Sequence, residues 1–161
     1  MDEFLIYDSL PSTNEFALGL LSQEPACGTS VLAYRQTAGR GQDGRIWQSD
    51  LGGLYLSIIL RDVDLSDITL RIGNIAKGYL ESVGVNCDIK LPNDILYRGE
   101  KICGILVESR TRLKSVWAVC GIGLNVNNKY SGYTNLSEIL GRKLDILAVA
   151  KEIRECMING I

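Results

Sequence analysis

The order and length of its apolar runs constrain this chain more than any other feature. "GLYLSIIL" at residues 53–60 reads as one continuously apolar, buried strand, bounded by Gly52-Gly53 and Arg61-Asp62. Residues 3–7 and 29–35 ("TSVLAYR") give two more short strands. Residues 86–91, 101–109 and 114–122 give three further candidates, the last two separated only by "RTRL", a hairpin-sized gap. Helical spacing is found elsewhere. Leu65, Ile68, Ile72, Ile75, Ala76, Tyr79, Leu80 and Val83 predict a helix from Ser66 to about Gly84, and Ile146, Val149, Ala150, Ile153 and Met157 predict a last amphipathic one. Ser12-Thr13-Asn14-Glu15 carries the S-x-x-E spacing of a capping box, which starts a shorter helix running to about Leu21. This order predicts an α+β fold: an antiparallel or mixed sheet with helices on one face.

Composition narrows the classes. The 161 residues, 46% hydrophobic and 22% charged, suit a single domain covering residues 1–161, with no repeat, linker or low-complexity tract. The net charge of −2, with Lys and Arg scattered, predicts no nucleic-acid partner, and no apolar run approaches the ~18 residues of a membrane span. The start, Met1-Asp2-Glu3, lacks the basic opening of a signal peptide, so a cytoplasmic location is expected. Five widely spaced cysteines without a C-x-x-C pair indicate neither a disulfide framework nor a zinc site. Histidine is absent, which removes Ser-His-Asp and Cys-His catalysis. Chemistry is left to Arg, Lys, Asp, Glu, Asn and backbone amides.

"QTAGRGQDGRIWQS" at residues 36–49 contains a G-x-G-x-x-G pattern from Gly39 to Gly44. That spelling marks dinucleotide binding only where the glycines close a strand and open a helix. Here Arg45 to Ser49 lead instead through Gly52-Gly53 into the next strand, so the dinucleotide reading fails. What remains is a loop whose glycines admit close backbone approach, with Arg40 and Arg45 as permanent charges and Trp47 as a flat apolar face. A phosphate beside an aromatic base suits such a loop. Taken alone, it reads better as a surface hairpin with solvated arginines and a tryptophan capping the core.

The loop has companions. "STN" at 12–14, the glycine loop at 36–49, "KLPNDILYRGEKICGILVE" at 90–108 and "GIGLNVN" at 121–127 stand in a fixed order. Together they resemble the catalytic domain of biotin protein ligases, over residues 12 to about 127. The resemblance implies the antiparallel sheet shared with class II aminoacyl-tRNA synthetases. It implies a two-step reaction in which biotin and Mg-ATP give biotinyl-5′-AMP, and a lysine of a biotin carboxyl carrier domain then displaces AMP. It places biotin against Ser12, Thr13, Asn14, Gln36, Gly39, Arg40, Gly41, Gln42, Lys101 and Gly104. Nucleotide contacts fall to Arg45, Trp47, Gly121, Gly123 and Asn125. Arg40, Lys101 and Asp94 become the catalytic set, with Asp94 near magnesium or the incoming amine.

Two departures stand out: Leu91 where the family usually has tryptophan, expected to repack one wall, and Gln42 where it commonly has a second arginine. The small C-terminal barrel and N-terminal helix-turn-helix found in many relatives are not in this sequence, so repressor behaviour is not expected of it alone. A homodimer paired through an edge strand is compatible with the resemblance. The rival readings are a lipoate or octanoate transferase of the same fold, whose histidine motif is missing, and a non-catalytic module that binds biotin or its adenylate.

Overall fold

The computed structural model describes residues 4–161. Glu3, the expected start of the first strand, lies outside them. Among the described residues seven strands form one sheet: β1 Phe4–Tyr7, β2 Ser30–Ala33, β3 Leu54–Arg61, β4 Asp88–Lys90, β5 Asp94–Tyr97, β6 Glu100–Arg112 and β7 Ser115–Leu124. Their spatial order is β1-β2-β3-β7-β6-β5-β4. β1 runs parallel to β2, and every other pairing is antiparallel, so the sheet is mixed within an α+β fold. The helices are α1 Thr13–Leu20, α2 Ile68–Ser82, α3 Leu136–Leu140 and α4 Ile146–Gly160.

Each helix end has a local cause. Ser12 caps α1, its hydroxyl accepting the Glu15 N–H at 3.3 Å. α2 starts two residues later than Ser66 suggests, because Ser66 N–H is taken by the Asp64 carboxylate at 2.9 Å and Asp67 adopts a left-handed conformation. Gly84, at φ +92, closes the turn after α2. Asp145 caps α4 by accepting from the amides of Leu147 and Ala148 at 2.8 and 3.3 Å. "RTRL" is mostly strand: β6 runs to Arg112, and the turn falls at Leu113-Lys114.

The two long helices share one face, as expected. Ile72, Ala76 and Leu80 of α2 and Val149, Ala150 and Ile153 of α4 pack with Leu56, Ile58, Cys120 and Ile122 in the larger core. The placement of all helices on one face is corrected for α1, which covers the opposite face with Ala17 against Val31, Ile59, Trp117 and Val119. The physical reason lies in β3, which is buried on both sides over Leu54–Leu60 and therefore has to be covered twice. α1 has only 8 residues, so it covers only part of that second face. The remainder is the floor of a cavity.

Candidate active site

Side-chain alternation decides what the open part of the sheet presents. On β3 the residues facing it are Tyr55 and Ser57, and their cross-strand partners on β7 are Gly123 and Gly121. On β6 the partners of those two glycines are Gly104 and Leu106. Three glycines on adjoining strands leave the backbone bare. The space above them is a cavity of about 460 Å³. A Cβ on Gly104 would come within 2.8 Å of the Trp47 ring, one on Gly123 would collide with the same indole, and one on Gly121 with the Asn14 amide. At three positions, therefore, the lack of a side chain is a packing requirement.

The start of α1 forms one end of the cavity. Thr13 N–H donates to Gln36 Oε1 at 2.8 Å, and Gln36 Nε2 donates to Ser49 Oγ at 2.8 Å. Ser57 Oγ lies 2.6 Å from Asn14 Oδ1 and 2.8 Å from Thr13 Oγ1. Because an amide oxygen only accepts, Ser57 donates to Asn14, while the Thr13 hydroxyl lies within reach of both Ser57 and Gln36 Oε1, the latter at 3.1 Å. Asn14 Nδ2 then donates to the Leu106 carbonyl at 3.2 Å and to Glu108 Oε2 at 3.0 Å. Ser12 Oγ accepts from its own helix, which leaves its proton for a ligand. This end is thus lined by Ser12, Thr13, Asn14 and Gln36, all hydroxyls and amides.

Further along the strands the character changes. β7 carries the floor from Gly121 through Gly123, and Asn125 follows directly after its end at Leu124, roughly 13 Å from Gly121 at the rise of an extended chain. Arg40 Nη2 donates to Glu108 Oε2 at 2.8 Å. Lys101 Nζ pairs with Asp94 Oδ1 at 2.6 Å and lies 4.9 Å from the centroid of the Trp47 ring. Trp47 itself lies on Gly104 and Gly123, its indole N–H buried without a partner. Arg45 stands at the rim, exposed and 3.6 Å from Asp43. Asn125 is buried, its side-chain carbonyl accepting from Asn128 Nδ2 at 2.9 Å. Tyr130 and Tyr133 close the far wall, where Tyr130 accepts the Asp50 amide at 2.8 Å. Tyr55 donates to the Asp50 carbonyl at 2.7 Å, and burial first of all pushes its hydroxyl pKa well above the ordinary value.

Ser12, Thr13, Asn14, Gln36, Arg40, Gly41, Gln42, Arg45, Trp47, Asp94, Lys101, Gly104, Gly121, Gly123 and Asn125 all line this one cavity. Gly39 sits just behind it, packed against the Trp47 carbonyl and Ser49. Leu91 is the exception: it is 69% exposed between β4 and β5 and does not line the cavity, so the expected repacking of a wall is corrected. Among the described residues no group of three or more His, Cys, Asp or Glu side chains is placed to hold a metal ion. Glu108, Ser57 and Tyr55 were missed by sequence reasoning. A serine inside an otherwise apolar run, in the phase of Tyr55, signals Ser57, and the glutamate ending the K-x-x-G-I-L-V-E run shares the parity of Gly104, which signals Glu108.

A family model for the biotin/lipoate A/B protein ligase family matches residues 6–125. The chain belongs to that family. It is 39% identical to the bifunctional ligase/repressor BirA of Bacillus subtilis over 174 aligned positions, which take in 97% of this chain and 53% of the relative. The chain therefore spans about half the length of that ligase-family protein. Among solved structures, a biotin protein ligase from Aquifex aeolicus in complex with biotin and ATP superposes with a TM-score of 0.82 at 28% identity, covering 99% of this chain and 70% of the other. The biotin acetyl coenzyme A carboxylase synthetase of Helicobacter pylori, with bound biotinylated ATP, gives 0.81 at 25% identity, covering 100% and 76%.

Proposed function

We propose that this chain is the catalytic domain of a biotin–protein ligase, which adenylates biotin with Mg-ATP and transfers the biotinyl group to a lysine of a carboxyl carrier domain. One observation carries this reading: the cavity is polarised along its glycine floor, hydroxyls and amides at the α1 end, Arg40 and Lys101 beyond. Biotin has the same polarity. Its neutral ureido ring both donates and accepts hydrogen bonds, and its tail ends in a carboxylate. The dithiolane ring of lipoate offers no acceptor to the Ser12 hydroxyl and no polar group to this end of the cavity, which costs affinity.

In the first step a carboxylate oxygen of biotin attacks the α-phosphorus of ATP, and the bond to pyrophosphate breaks. Two anions must meet, so the reaction needs charge neutralisation and alignment more than a nucleophilic side chain. Arg40 bridges carboxylate and phosphate, and Lys101, on its flexible stem, leaves Asp94 to follow the developing charge. Gln36, Gly39, Gly41 and Gln42 complete the loop over the intermediate, Gly104 admits the ring, and Arg45, Trp47, Gly121, Gly123 and Asn125 face the nucleotide. In the second step the lysine amine of the carrier attacks the acyl carbon, AMP leaves, and Asp94 takes the amine's proton. A lone carboxylate suits magnesium that arrives on the nucleotide's phosphates, as part of the substrate. A cytoplasmic location accords with these substrates.

The test is incubation with biotin, Mg-ATP and an apo carrier domain, together with biotin-dependent exchange of pyrophosphate into ATP. Exchange and carrier labelling are expected. Biotin binding without exchange would replace this reading with a binding module, and labelling by lipoate or octanoate instead would replace it with the transferase.

A further inference from the structure

We infer that Glu108 is a positioning residue that aims the Arg40 guanidinium into the cavity, and that the pair Ser57–Asn14 in turn aims Glu108. The role assigned to Arg40 rests on the biotin-adenylating reading; the anchoring itself rests on geometry alone.

An isolated surface ion pair between Arg and Glu would be worth little, because both side chains exchange water for each other at an entropic cost. Glu108 differs in three respects. Its side chain is 21% exposed, against 41% for Arg40, so the carboxylate is the fixed partner and the guanidinium the moving one. It sits on β6, the long strand at the floor of the site, whereas Arg40 rides on a loop. Its Oε2 accepts from Asn14, which is 4% exposed and whose own oxygen is committed to Ser57.

The protons of that chain run one way. Ser57 O–H donates to Asn14 Oδ1, an amide oxygen that only accepts, and Asn14 Nδ2 donates to Glu108. The chain ends on a carboxylate that only accepts, so the Asn14 amide cannot flip without setting its oxygen against Glu108 and the Leu106 carbonyl. Glu108 is held in one orientation by α1 and β3, and its remaining capacity on Oε2 goes to Arg40 at 2.8 Å. Elements on both sides of the cavity thereby converge on one guanidinium. Glu108 acts through Arg40 and needs no contact with substrate.

Glu108→Gln keeps the shape and the acceptor for Asn14 but removes the charge that holds Arg40. Biotin-dependent pyrophosphate exchange is expected to slow about tenfold in the wild-type background and less than twofold when Arg40→Ala is already present. An equal loss in both backgrounds, or no loss in the first, would overturn the proposal. Trypsin gives a readout independent of activity. Initial cleavage after Arg40 is expected to accelerate at least threefold in Glu108→Gln, while cleavage after the exposed Arg45 stays constant. If the wild-type chain shows no exchange, the enzymatic reading fails, and cleavage alone decides: unchanged cleavage after Arg40 would then overturn the anchoring too.

Discussion

Arg40 and Lys101 come from distant parts of the chain, yet each reaches the cavity with a carboxylate already beside it, Glu108 for one and Asp94 for the other. Such pairs hold two cations beside a bare floor. Arg40→Ala and Lys101→Ala are each expected to cut biotin-dependent pyrophosphate exchange by at least two orders of magnitude, since one positioned charge at a phosphoryl transition state is worth roughly 3 kcal/mol. Unchanged rates in folded variants would remove both residues from the reaction. Gln42 poses the converse question. It lines the cavity from a short turn, and Arg45, the next cation along the loop, stands exposed at the rim, held only by a 3.6 Å surface pair with Asp43. A neutral amide holds a phosphate by about 1 kcal/mol per hydrogen bond, against ~1.5–3 for a charged donor. Gln42→Arg is therefore expected to slow release of biotinyl-AMP about tenfold and to reduce labelling of a bystander protein, measured by off-rate and by blotting; equal values for the two forms would mark Gln42 as neutral.

At the scale of elements, β6 and β7 trade side chains for space. Gly104 and Gly123 are direct cross-strand partners, and the Trp47 indole lies on both. Gly123→Ala puts a methyl where the ring sits, so the indole has to lift off. A red-shifted tryptophan emission and biotin binding weakened at least tenfold by calorimetry are expected, with Trp117, buried at 1% exposure, supplying an unshifted background. The helix α4 responds differently, because it lies across the sheet from the cavity. Asp145→Ala removes a cap that accepts two amides and is expected to cost about 1 kcal/mol in urea unfolding while leaving pyrophosphate exchange intact.

For the whole molecule, the two faces of the sheet separate reactive groups from inert ones. Cys103 and Cys120 belong to the core on the α2–α4 side, where burial pushes their thiols up to about 12. Cys87 is raised to about 11, again chiefly by burial. Cys27 is exposed. At neutral pH a thiol reagent is expected to modify Cys27 quickly and these three only after unfolding; fast reaction of any of the three in the native protein would contradict the packing. Linkage fixes the sign of the pH effect. The folded state keeps these thiols protonated while the unfolded chain ionises near pH 9, so stability is full below about pH 9 and declines as pH rises toward 12. Denaturant melts at pH 8 and pH 10 would show the decline as a lower midpoint.

The sequence by itself determined the element types, because hydrophobic periodicity and capping are local: β3, α2, α4 and the Ser12 cap follow from runs of a few residues. It also marked many of the cavity residues, through motifs whose order and spacing are written in the chain, though not Tyr55, Tyr130 or Tyr133. β5 was hidden, since "DILY" after Pro92-Asn93 is too short to outweigh turn signals, and its strand character comes from pairing with β4 and β6. α3 has five residues, too few for a helical period to register. The face of the sheet covered by α1 was likewise undecidable from a strand that is apolar on both sides. Tertiary structure alone decided the partners: that Lys101 meets Asp94, that Arg40 meets Glu108, and that Ser57 joins Thr13 to Asn14. Pairing across a sheet depends on register and twist over dozens of intervening residues, and no local pattern encodes where two such side chains will meet.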